Sequence, residues 1–251
     1  LAGKTGIFSV ILLSAGNITG MLISALALIL YSRYLGPAEF GIFSVAFAFM
    51  QIVIRLADFG INMAAERQIA RAYDNVNKRT NLIRTTLWLK ATSYFAVLII
   101  LWILSPWITH SLLHMDNLGL IRSAILLSSG TIVFEYATLI FQATHRFDLV
   151  ARITIAQGIG KLLFSLILMW QGALSSVLGL TIYGLMPGIG AVLGFIKNPL
   201  SSLTLPSNWR SHLKEILAVA KWTSIAALSL TVADNLDILI VQSLMSSYDA
   251  G

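Results

Sequence analysis

The stretch IFSVILLSAGNITGMLISALALILY, from Ile7 to Tyr31, carries no charged side chain over 25 consecutive residues. About 20 apolar residues in a helix cross a hydrocarbon core of about 30 Å. The run is too long for a signal-peptide core and ends without a small-residue cleavage pattern, so it reads as a retained helix. The rest of the chain repeats it. Of the 251 residues, 57% are hydrophobic and 11% charged, and the mean hydropathy is +0.82. A soluble domain carries about 25% charged residues, so too few charges remain to cover a water-facing surface. The expected fold is an all-α membrane protein, a polytopic helix bundle.

Seven segments have the length and polarity of spans: Ile7–Tyr31, Gly41–Met63, Thr86–Ile108, Leu118–Thr144, Ala151–Trp170, Leu174–Ile196 and Ile216–Met245. Each must be helical, because an unpaired backbone group in lipid has no water to bond. The connections are short and carry turn residues, such as Gly36-Pro37 and Asn198-Pro199. Lys4, Arg67, Arg71, Lys78, Arg79, Arg84, Arg146, Arg152, Lys197, Arg210 and Lys214 fall on one side of the membrane, and only Arg33 and Arg122 on the other. The excess of positive charge places the N-terminus in the cytoplasm and Gly251 on the outer face. This segregation, rather than a basic patch, accounts for the net charge of +6 and argues against nucleic acid as a partner.

Polar residues recur at helical spacing inside the spans. Gln51, Arg55, Asp58, Asn62 and Glu66 follow one another at intervals of 4, 3, 4 and 4; Ser128, Thr131, Glu135, Thr138 and Gln142 at 3, 4, 3 and 4. Thr154, Gln157, Lys161 and Ser165 continue the pattern on the fifth span; Asn17 and Ser24 lie a heptad apart on the first; Asp234 and Asp237 flank Asn235 on the seventh. Such spacing stacks side chains on one helical face. A charge at mid-bilayer costs about 2.5–3.5 kcal/mol on insertion scales, so the faces are expected to turn inward around a polar interior. The third and sixth spans lack a stripe and are expected to face lipid, with Lys90 snorkelling from a helix end. Packing is the competing account: Arg55 and Asp58 as a structural ion pair, hydroxyls bonding to backbone, and Gly16-x-x-x-Gly20 as a close helix contact.

Soluble-enzyme motifs are missing: there is no Walker loop, zinc motif or nucleophile elbow, and no cysteine. His110 and His114 are four apart in a short loop without an acid cluster, so no metal site is expected.

The stretch Tyr31-Ser-Arg-Tyr-Leu-Gly-Pro-Ala-Glu-Phe-Gly-Ile-Phe-Ser contains R-x-L-G-P-x-x-F-G from Arg33 to Gly41. It resembles the signature of polysaccharide exporters, the O-antigen and teichoic-acid-type flippases of the multidrug/oligosaccharidyl-lipid/polysaccharide (MOP) superfamily. Ala57–Asn62 with Glu66–Arg71, the Arg146-Phe147-Asp148 turn within Gln142–Arg152, and Asp234–Gly251 agree with it. The family has about twelve to fourteen helices in two six-helix lobes. The resemblance therefore implies an N-terminal six-helix lobe over residues 1–200, followed by a cytoplasmic linker and seventh helix over 201–251 that begin a second lobe.

The implied activity is not enzymatic. It is export of a polyprenyl-pyrophosphate-linked oligosaccharide across a bacterial or archaeal plasma (inner) membrane by alternating access, as in lipopolysaccharide biosynthesis. The implied partners are that lipid-linked oligosaccharide, membrane lipids and the polysaccharide polymerase machinery. No cofactor is implied beyond H⁺ or Na⁺ as a coupling ion. A diphosphate suits cations, so Arg55 and Lys161 are the candidate phosphate contacts and Asn17, Gln51 and Gln142 the candidate sugar contacts. Asp58, Glu135, Asp234 and Asp237 are candidates for charge balance or ion coupling. A multidrug cation antiporter of the same superfamily is the nearest alternative. A polyprenyl-phosphate membrane enzyme or an assembly subunit is a more distant one.

Overall fold

The computed structural model describes the backbone of residues 2–115, 117–197 and 204–244, and the side chains of 11–115, 117–196, 204–225 and 229. Among the described residues every regular element is helical. The order is α1 (Ala2–Asp58), α2 (Ile61–Arg71), α3 (Val76–Trp107), a π-helical turn (Ile108–Leu112), α4 (Leu118–Ala143), α5 (Phe147–Trp170), α6 (Ser176–Lys197) and α7 (Trp209–Leu244). Five stretches among them are long and apolar enough to cross a membrane: Ile11–Asp58, Val76–Leu112, Leu118–Ala143, Phe147–Trp170 and Ser176–Ile196. The chain is a multi-pass membrane protein.

The 57 residues of α1 are not one rod. Gly36 leaves helical geometry at φ 74, ψ 171, a region open to a residue without Cβ, and Pro37 supplies no N–H to continue the ladder. A straight helix would set Tyr31 and Phe43 about 18 Å apart along its axis, yet their ring centroids lie 5.3 Å apart. The chain therefore folds back on itself, giving two crossings, 2–35 and 37–58. Both rings also pack on Tyr183 of α6, at 5.7 and 5.8 Å.

Glycine seams set the helix spacing. A Cβ on Gly16 would fall 2.5 Å from Ala151 Cβ, and one on Gly20 would fall 2.7 Å from Thr154 Cγ2, so the first arm of α1 lies directly on α5. Small residues four apart allow such approach where lipid gives no hydrophobic drive to association. Gly130 of α4 meets Gly184 and Gly188 of α6 in the same manner.

The stripe from Gln51 to Glu66 does not lie on one continuous helix. Helix α1 ends at Asp58, and Phe59 and Gly60 turn left-handed at φ 47 and 70 before α2 begins. Two local contacts hold the break. The Asn62 N–H donates to Asp58 Oδ1 at 3.2 Å, so Asp58 closes one helix and caps the next. Gly60 sits against α7, where a Cβ would be 2.5 Å from Ser224 N and the Thr223 hydroxyl donates to its carbonyl at 2.9 Å. Further along, Lys78 pairs with Glu215 of α7 at 3.2 Å. The side chains of Asp234, Asn235 and Asp237, and residues 198–203, lie outside the described residues.

Candidate functional site

The two arms of α1 together with α4, α5 and α6 line an open cavity of about 730 Å³. The first arm contributes Asn17 and Ser24, the second Gln51 and Arg55, α4 Thr131, Glu135, Thr138 and Gln142, and α5 Thr154, Gln157 and Lys161. Met21, Leu28, Phe47 and Phe134 supply apolar wall between them. The 3- and 4-residue spacing on α4 and α5 explains why each helix presents several polar groups to the same space.

Charge is distributed unevenly around this cavity. Lys161 is 9% exposed, and its Nζ lies 4.9 Å from the centroid of the Tyr183 ring. It has no ion-pair partner among the described residues. The Tyr183 hydroxyl is fixed by donating to Ser24 O at 2.6 Å, which ties α6 to the first arm of α1. Arg55, in contrast, pairs with Glu135 at 3.1 Å while its side chain stays 40% exposed. Its charge is balanced, but a guanidinium has five N–H donors, so capacity remains for a second acceptor.

Behind Arg55 lies a polar cluster that includes a residue the spacing did not single out. Lys90 of α3 is 3% exposed; its Nζ lies 3.1 Å from Asp58 Oδ1, 2.5 Å from Asn62 Oδ1 and 3.8 Å from Glu135 Oε2. Asn62 Nδ2 donates to Glu135 Oε2 at 2.8 Å, and Ser93, also on α3, donates to Ala57 O at 2.6 Å. The expectation of a snorkelling Lys90 is corrected: the inward side of α3 carries one buried cation because two carboxylates face it. Asp58 turns away from the cavity toward this lysine. The expectation for the sixth span is corrected too, since Tyr183 and Pro187 of α6 line the cavity and glycines press the helix onto α4. Of the candidate residues, Asn17, Gln51, Arg55, Glu135, Gln142 and Lys161 share the cavity, Asp58 sits behind it, and Asp234 and Asp237 have no described side chains.

A family model of polysaccharide biosynthesis proteins matches residues 8–251. The chain belongs to the polysaccharide biosynthesis protein family. This family member matches no curated protein. Its fold is that of MOP-superfamily transporters. It is similar to a multidrug-resistance MATE-family transporter of that superfamily in an outward-facing conformation, with 16% identity and a TM-score of 0.71. It is also similar to a MOP-superfamily transporter from Pyrococcus furiosus, at 19% identity and a TM-score of 0.68; that protein's binding pocket has reverse polarity, which suggests a different function for it. Each match covers 90% of this chain and 54% of the other. The chain of this polysaccharide biosynthesis protein thus spans about half the length of both structures.

Proposed function

We propose that this chain supplies one lobe of a transporter that moves a polyprenyl-pyrophosphate-linked oligosaccharide across a bacterial or archaeal plasma membrane by alternating access. One observation carries the reading. Amides and hydroxyls from four helices surround a membrane-embedded cavity in which Lys161 has no carboxylate partner among the described residues. A diphosphate head cannot enter hydrocarbon unaided, whereas a cation and fixed polar groups replace its water; the prenyl tail stays in lipid.

Lys161 is the primary diphosphate contact in this scheme and Arg55, shared with Glu135, a secondary one. Asn17, Gln51 and Gln142 face the sugars. Glu135 and Asp58 balance Arg55 and Lys90, and Asp234 and Asp237 are assigned to charge balance or ion coupling. Residues 1–200 form the first lobe, 201–251 lead into the second, and the N-terminus is cytoplasmic by the distribution of Lys and Arg. An organic cation is a poorer cargo, because Arg55 and Lys161 outnumber Glu135 among the described charged groups of the cavity. In the full-length protein, Lys161→Glu should abolish surface-glycan export while membrane insertion is retained, and Arg55→Glu should reduce it. Normal export from both variants, or export of a fluorescent cation against a proton gradient by the wild type, overturns the reading.

A further inference from the structure

We infer that Lys90 is a positioning residue that makes the break between α1 and α2, and through it the contact with α7, respond to an anion in the cavity. The inference rests on the anionic-headgroup reading above.

Glu135 faces two ways. Its Oε1 holds Arg55 Nη1 at 3.1 Å on the cavity side; its Oε2 accepts from Asn62 Nδ2 at 2.8 Å and stands 3.8 Å from Lys90 Nζ on the far side. An anion drawn to the exposed part of Arg55 arrives beside the Glu135 carboxylate, and like charges repel. The nearest relief is Lys90, whose distance from Oε2 exceeds that of a direct hydrogen bond. Closing that gap changes the place of Asn62, because Asn62 holds Glu135 with its amide nitrogen and Lys90 with its amide oxygen at 2.5 Å.

Asn62 is also the splice across the break. It stands in the first turn of α2, and its backbone N–H reaches back to Asp58 at the end of α1. Two residues earlier, Gly60 rests on α7 through the Thr223 hydroxyl. Beside that contact the α2–α7 seam holds a cleft of about 300 Å³, lined by Met63, Glu66 and Arg67 of α2 and Val219 and Thr223 of α7, so α2 has room to shift. Left-handed backbone at Phe59 and Gly60 places the flexing point next to the charge cluster. Occupancy of the cavity is thereby read at α7, the helix that leads out of this lobe. Lys90 lines no part of the cavity; its effect on an anion runs through Glu135 and Asn62.

The test uses the full-length protein in lipid nanodiscs with inorganic pyrophosphate as the probe. Nitroxide labels go on cysteines replacing two exposed residues, Arg71 of α2 and Leu217 of α7, and pulsed electron paramagnetic resonance reads their separation; calorimetry reads binding. Pyrophosphate should shift the label distance in the parent protein. Lys90→Met should remove the shift while leaving pyrophosphate affinity within about threefold, and Lys90→Arg should restore it. The charge-balanced Lys90→Met/Asp58→Asn protein serves where the single variant is unstable, and it too should bind without shifting. A retained shift in either Met-containing protein overturns the inference. Lys161-dependent binding with no shift in the parent overturns it and leaves the transport reading standing. Absence of Lys161-dependent binding removes both.

Discussion

Replacing Lys90 by Met separates a snorkelling lysine from a buried one. A lysine reaching the membrane surface contributes little, and its loss should fall within about 0.5 kcal/mol of neutral. The structure instead places Nζ within 3.1 Å of Asp58, whose side chain is 7% exposed, and 3.8 Å from Glu135. Removing the cation leaves Asp58 as an uncompensated buried carboxylate, a loss of about 3–5 kcal/mol in comparable buried pairs. Glu135 keeps Arg55 and Asn62, so most of the loss is assigned to Asp58. Replacing Asp58 by Asn in the same protein removes the stranded charge and leaves mainly lost hydrogen bonds, about 1 kcal/mol each. The double variant should therefore be more stable than Lys90→Met alone. Thermal or denaturant unfolding of the parent, both single variants and the double in one detergent gives the double-mutant cycle, with an expected coupling of at least about 2 kcal/mol. On the scale of soluble domains of this size, the Lys90→Met loss corresponds to a fall in Tm of about 10 °C. A Lys90→Met cost below about 1 kcal/mol, with additive single effects, would refute the buried-cluster account.

Lys161→Gln should weaken pyrophosphate binding to the full-length protein by about 10- to 100-fold, the loss of one charge-assisted contact. Arg55→Gln should weaken it less, because Glu135 already shares that guanidinium; equal losses by calorimetry would contradict the asymmetry. Gly20→Val should cost about 1–3 kcal/mol or more by overpacking, since its Cβ meets Thr154. Gly36→Ala has no atom within 4 Å but a φ of 74 with ψ 171, so it should cost about 1–3 kcal/mol through backbone strain alone; a shift in unfolding midpoint for each variant checks both. Burial raises the carboxyl of Glu66, on α2 beyond the spans, above its ordinary 4.5. The folded protein thus holds that proton more tightly than the unfolded chain, and the group's contribution to stability falls as pH rises from 4.5 through the folded value. Glu66→Gln should flatten that part of the stability–pH profile, and an unchanged profile would rule the assignment out.

Sequence by itself determined that the chain lives in lipid and that its spans are helices, because long uncharged runs admit no other backbone arrangement there. It also determined which faces of α4 and α5 turn inward. Glu135, Thr138 and Gln142, and Thr154, Gln157 and Lys161, stand at spacings that a continuous helix keeps on one side. Gly36-Pro37 was legible as a turn for the same local reason. Tertiary structure alone decided what required knowing a neighbour. Lys90 follows Lys78, Arg79 and Arg84 at the start of α3 and stands alone among the apolar turns beyond them, and no spacing within α3 tells that Asp58, Asn62 and Glu135 meet it from α1, α2 and α4. Tyr183 and Pro187 reach the cavity because Gly130, Gly184 and Gly188 let α6 lie against α4, a contact between helices distant in sequence. The break at Phe59 and Gly60 was hidden by its own register: Asp58, Asn62 and Glu66 keep four-residue spacing through it, and the glycine that permits it is held from α7. Periodicity reports the face of one helix; which charges neutralise one another depends on distances across the bundle, where the Coulomb term is decided.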